Sequence, residues 1–318
     1  MSAAIGTRWR GFSRLLFAVL ASSAVCAQTP TFRSDVNLVT ITFTDRDNTG
    51  KQVGELNQDD IEVLEDGIPQ KIRFFARTGD LPLTIGLVVD ASGSQSKFIR
   101  RHHSDVEKFL KDVLGPQDQA FLVCFGNHLR LVSDLTSSGS QIMENLDAFD
   151  HGKRGFPEIG PPEIREEGTA FYDAIFFATQ EKLMGSSQGH RVLILFSDGQ
   201  DNSSAHHMID AIEEAQRADV LVYSVRYTEK RRHPTARDKY GIRVMQRISH
   251  DTGAADFDAS QNELNETFRS IGAELRALYE VGYHAGNLIH DDTFHKVVVR
   301  MKRPGLSARA KAGYFAAR

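Results

Sequence analysis

The sequence predicts an α/β chain: a doubly wound, mostly parallel sheet over residues 81–275, set into a small β-sandwich assembled from the two ends of the chain. Three observations carry that prediction. The near-continuous aliphatic runs Leu83–Val89 and Val192–Phe196 read as strands buried on both faces, the sequence form of a parallel sheet covered by helices. Helical periodicity alternates with such runs. Period-2 patterns occupy both ends of the chain, and neither end holds enough strands to bury a core alone.

In order along the chain, Val36, Leu38, Thr40, Thr42 and Thr44 alternate with Asn37, Val39, Ile41 and Phe43, and Asp47-Asn48-Thr49-Gly50 reads as a turn. A second strand starts at Ile61 and ends in the Asp66-Gly67 turn; a third runs from Lys71 to Ala76, past Pro69. After the strand at 83–90, Ser96–Leu114 sets Phe98, His102, Val106, Phe109 and Val113 near one helical face, and Gly115-Pro116 stops it. Strands at Ala120–Phe125 and Leu129–Val132 flank a Gly126-Asn127 turn. A helix at Ala170–Met184, the strand at Val192–Phe196, a helix at Ala205–Ala218 and a strand at Val220–Val225 follow. Helices near Arg243–Asp251 and Gln261–Leu278 close the α/β part, with the cluster Phe171, Phe176 and Phe177 read as packing.

Strand patterns return at Leu278–His284, His295–Met301 and Ala308–Phe315, separated by a polar stretch and an Arg303-Pro304-Gly305 turn. The economical arrangement pairs residues 34–77 with 277–316 in one interrupted sandwich; two separate β-modules are the alternative.

A formal net charge of −4 over 318 residues gives no basic excess for nucleic acid. The adjacent pairs His102-His103 and His206-His207 have no zinc-protease spacing and read as solvent-facing helix histidines. Residues 1–27 have the layout of a cleaved signal peptide: Arg8, Arg10 and Arg14, an apolar segment from Leu15 to Val25, then Ala27. That segment is too short to span a bilayer comfortably, and no other stretch approaches the length. The mature chain is therefore expected to be secreted or periplasmic, with a lipoprotein anchored through Cys26 as the alternative. Cys124 then remains alone in an apolar strand as an inert buried thiol.

The chemistry-bearing residues sit where strands end. Asp90, Ser92 and Ser94 follow the first buried strand and Asp198 follows the second, while Thr169 stands just before a helical pattern. Ordinary turns and N-caps use the same letters. An oxygen-only cluster at the carboxyl ends of parallel strands also suits a hard cation, Mg²⁺, Mn²⁺ or Ca²⁺, rather than zinc.

In order and context these five positions resemble the metal-ion-dependent adhesion site of the von Willebrand factor type A (VWA) domain. The resemblance covers about residues 81–275. From the Leu64–Gln70 turn to Gly313-Tyr314, the whole chain also looks like secreted proteins that carry a VWFA-related domain. The resemblance implies a first metal loop of Asp90, Ser92 and Ser94, a second at Thr169 and a third at Asp198. It implies a cation with an open position for a carboxylate of a protein partner, and so recognition without catalysis. Two other readings stay open: a metal-stabilised scaffold, and a metal-dependent hydrolase, for which Asp198 is the nominated base and no further base is placed by motif. The irregular segments 151–168 and 228–240 read either as solvated loops or as part of the metal face. On that second reading Arg231, Arg232 and Lys239 would favour an acidic partner.

Overall fold

The computed structural model describes residues 38–161, 168–185, 189–228, 233–260, 264–285 and 292–316. The signal-peptide segment, with Cys26, and residues Arg231 and Arg232 lie outside the described residues.

The chain opens with four strands, β1 (Leu38–Asp47), β2 (Ile61–Glu65), β3 (Ile68–Gln70) and β4 (Ile72–Arg77). β5 (Leu83–Asp90) then enters a second layer, where all eight of its residues are buried. A 3₁₀ segment at Gly93–Phe98 leads into α1 (Ile99–Val113). Next come β6 (Gln119–Phe125), β7 (Leu129–Thr136) and α2 (Gly139–Asp150). α3 (Phe171–Phe177) continues as a π-helical turn to Leu183 and is followed by β8 (His190–Ser197). α4 (Met208–Arg217), β9 (Val220–Arg226), α5 (Ala236–Asp251), β10 (Asp256–Asp258) and α6 (Leu264–Leu275) complete this part. The chain ends in β11 (Tyr279–His284), β12 (Phe294–Met301), β13 (Leu306–Ala310) and β14 (Gly313–Phe315).

The central sheet has the order β10-β9-β8-β5-β6-β7, parallel throughout except for β7 at its edge. Apolar side chains cover both faces. Val106 and Phe109 of α1, Ile142 and Leu146 of α2 and Phe268 and Ile271 of α6 pack on one. Phe171 and Ile175 of α3, Ala211 and Ile212 of α4 and Met245 and Ile248 of α5 pack on the other. This double covering is why β5 and β8 read as uninterrupted apolar runs. It is compatible with a VWA-like fold.

Two four-stranded antiparallel sheets, β13-β1-β11-β4 and β14-β12-β2-β3, stand beside this layer. β1 pairs with β11 and β13, and β2 pairs with β12, so strands that precede the α/β part are laddered to strands that follow it. Ile41, Phe43 and Val281 of one sheet share a core with Ile61, Val63 and Val299 of the other. Within it the Phe43 and Tyr279 rings stack at 5.5 Å.

Several expectations need correction. The single strand read at 308–315 is two strands in different sheets: β13 joins β1 and β14 joins β12. Gly313 permits that crossing, since an added Cβ would lie 2.2 Å from the His295 carbonyl oxygen. α5 begins at Ala236, not near Arg243, so residues 236–240 of the basic segment form its first turn. Thr235 and Asp238 make a reciprocal capping box there, Thr235 accepting at 3.1 Å and Asp238 at 2.8 Å. α2 and β10 were not anticipated. His102 is buried rather than solvent-facing, 4.3 Å edge-on from the Tyr227 ring, and burial pulls its imidazole down to about 4. Among the described residues no helix is long and apolar enough to cross a membrane.

Candidate metal centre

β5 ends in Asp90 and β8, its parallel neighbour, ends in Ser197 and leads to Asp198. From β5 the chain first builds outward through β6 and β7, then returns to lay β8 on the other side of β5. The crevice at such a switch of direction, outside the carboxyl ends of the strands, is where open α/β sheets bind ligands.

A cavity of about 410 Å³ opens at that point, lined by Ser92, Ser94, Asn127, Thr169, Asn202 and Arg237 among others. The Ser92 and Ser94 hydroxyls are 3.1 Å apart. Thr169 is pinned from the third loop: its N–H donates to Asn202 Oδ1 at 2.7 Å and its carbonyl accepts from Asn202 N–H at 3.1 Å. Asp201 Oδ1 accepts from the Phe171 N–H at 2.9 Å, fixing the start of α3 beside it. The approach of these two loops requires Gly168, whose φ is +139° and where a Cβ would fall 2.6 Å from Ser203.

The two carboxylates lie behind this lining. Asp90 is fully buried, its Oδ1 accepting from the Ser92 N–H at 3.0 Å and its Oδ2 from the Ser197 hydroxyl at 2.6 Å. Burial, with the charge of Asp198 added, pushes the Asp90 carboxyl up to about 7. Asp198 is 7% exposed; its Oδ1 accepts from the Gln200 N–H at 3.0 Å and its Oδ2 from the Gln95 side-chain amide at 2.8 Å. Burial raises its carboxyl too, opposed by those hydrogen bonds and by the charge of Arg237. Neither carboxylate touches a cationic side chain among the described residues. Two buried, mutually repelling carboxylates beside three hydroxyls form a donor set that fits a small hard cation.

The structure therefore brings Ser92, Ser94 and Thr169 to one crevice, with Asp90 and Asp198 behind it. From the basic segment, Arg237 lines the crevice and Lys239 is exposed on the first turn of α5. Gln95, Ser197, Asp201 and Asn202 were not singled out in the sequence. The only signal was a run of polar residues past each strand end, which a turn explains equally well.

No family model and no curated protein matches the chain. Among solved structures it is similar to an aerotolerance-related membrane protein from Bacteroides fragilis, at 15% identity and a TM-score of 0.45, covering 61% of this chain and 98% of that one. It is also similar to BatB from Bacteroides thetaiotaomicron, at 15% identity and a TM-score of 0.44, covering 61% and 97%. Similarity to the PilB minor pilin from Streptococcus sanguinis is at 10% identity and a TM-score of 0.45, covering 62% of each chain.

Proposed function

We propose that the chain is an exported protein-binding module of the VWA type, which recognises an acidic residue of a partner in a divalent-cation-dependent way. The observation that carries this reading is the placement of Ser92, Ser94 and Thr169 on one open crevice with Asp90 and Asp198 buried behind them. Ser92, Ser94 and Thr169 would offer direct oxygens, and Asp90 and Asp198 would act directly or through water. A cation bound there, Mg²⁺ or else Mn²⁺ or Ca²⁺, would supply an open coordination position for a carboxylate, a charge-assisted contact in a partly dry setting.

This chain's own residues do the rest. Ser197 and Gln95 hold the two carboxylates in place, and Asn202 holds the Thr169 backbone. Arg237 at the rim adds a positive charge that draws an acidic surface. Among the described residues the crevice is lined by hydroxyls, amides and one guanidinium, groups that can bind and orient a polar partner. Export rests on the pattern of residues 1–27 alone.

The test is capture of exported proteins by the immobilised mature chain, with Mg²⁺ and with EDTA, alongside Asp198→Ala. A partner retained only with Mg²⁺ and only by the wild type supports the reading. Equal retention in EDTA contradicts it.

A further inference from the structure

The residues that follow the Gly126-Asn127 turn line a second cavity, of about 430 Å³. Gly126 and Asn127 line the first cavity, and His128 and Arg130, the next residues on the same turn and strand, line the second. Its other walls come from the end of α2 and the segment after it: Phe149, Lys153, Arg154 and Phe156. The Phe149 and Phe156 rings meet edge to face at 5.9 Å, giving it an apolar floor.

The charges around this floor are unequal. Glu158 is the acidic side chain that answers them, 2.9 Å from Arg130 Nη2 and 2.9 Å from His128 Nδ1. Arg130 is further fixed by donating to the Phe156 carbonyl at 3.2 Å. Lys153 and Arg154 are exposed and form no ion pair among the described residues, and Lys153 Nζ stands 5.8 Å from the Phe156 ring centroid. A chain of formal net charge −4 thus carries two uncompensated cations over an aromatic floor, beside the crevice that would bind a carboxylate.

We propose that the cavity lined by His128, Arg130, Lys153 and Arg154 is a second subsite for the same partner, seating another carboxylate of an acidic segment whose first carboxylate enters the crevice of Ser92, Ser94 and Thr169. This inference rests on the metal-dependent reading above and narrows the partner to a protein segment with at least two acidic side chains. Arg130, held by Glu158 and a backbone carbonyl, is a rigid part of the wall. Lys153 and Arg154 are the free charges that meet the incoming carboxylate. Rim charges of this kind steer encounter and add specificity.

The test uses the full mature chain and two probes in Mg²⁺: a labelled oligoglutamate peptide and N-acetylglutamate amide, which has one carboxylate. The double charge reversal K153E/R154E should weaken oligoglutamate binding by about tenfold or more and leave the single-carboxylate probe within about twofold of wild type. K71E/R73E, which changes net charge equally at two exposed residues of the sandwich, should leave both probes within about twofold. Oligoglutamate affinity unchanged in K153E/R154E, or lost equally in K71E/R73E, would overturn the proposal. Mg²⁺ calorimetry on the same proteins separates the two readings. Wild type without Mg²⁺ affinity removes both, whereas intact Mg²⁺ affinity with unaltered peptide binding in K153E/R154E removes only the second subsite.

Discussion

The side-chain amide of Gln95 donates to Oδ2 of Asp198 at 2.8 Å, tying the loop after β5 to the loop after β8. Gln95 is itself buried, and its amide also reaches the Tyr227 carbonyl at 3.4 Å. A hydrogen bond to a charged group contributes more than a neutral one, and here it holds a carboxylate that burial disfavours.

Gln95→Leu keeps the volume and removes the donor. It is expected to cost about 1.5–3 kcal/mol of stability, read as a lower urea midpoint with an unchanged slope. An unchanged midpoint would mean that the bond does not hold the two loops together.

Glu274 of α6 is an ionic junction between the α/β part and the sandwich. It pairs with Arg46 of β1 and Arg309 of β13 and accepts from the Tyr223 hydroxyl at 2.7 Å. Burial, with the charge of Arg46 added, pulls the Arg309 guanidinium down to about 10. Glu274→Gln leaves two arginines without a counter-charge and should lose about 3–5 kcal/mol, measured by chemical denaturation. A loss below about 1 kcal/mol would show that the arginines reach water instead.

His190 links stability to pH. Its Nε2 lies 3.0 Å from the Thr78 carbonyl, and burial, helped by the charges of Arg191 and Arg276, holds the imidazole below its ordinary value of 6.5. The unfolded chain therefore binds this proton first as pH falls. The contribution of neutral His190 is present above 6.5 and is lost below it, at up to about 1.4 kcal/mol per pH unit. The difference in stability between wild type and His190→Gln should shrink from pH 7 to pH 5, and a constant difference would contradict the assignment.

The paired ladders carry a prediction for the termini. β2 is the central partner of β12, with Val63 opposite Val299 and Glu65 opposite Val297. Deleting residues 28–77 should therefore abolish the slow hydrogen exchange of the amides from Val297 to Val299. Undiminished protection there would show that the C-terminal strands fold without the N-terminal ones.

The α/β layer was legible because burial on both faces leaves an unmistakable apolar run in β5 and β8. α2 escaped because only Ile142 and Leu146 of its twelve residues are buried, too thin a stripe to stand out from a polar segment. The start of α5 was hidden by Pro234 and the basic run before it, although Thr235 and Asp238 spell a capping box. β13 and β14 merged in the sequence because alternation says which face a side chain takes, not which sheet the strand joins. At the crevice, the residues bearing hydroxyls and carboxylates could be named from strand ends. Their supports could not. Gln95 reaches Asp198 across 103 positions and Ser197 reaches Asp90 across 107, and no local pattern encodes such pairs.

The cluster behind and around this crevice is expected to hold a divalent cation. Calorimetric titration of the mature chain with Mg²⁺ tests it most directly, with Asp90→Ala and Asp198→Ala compared after circular dichroism has shown both folded. One saturable Mg²⁺ site is expected in the wild type, with a loss of about a hundredfold or more in each variant, since each removes one of the two anionic groups of the cluster. Mg²⁺ affinity unchanged in both variants, or no saturable binding by the wild type, would contradict it.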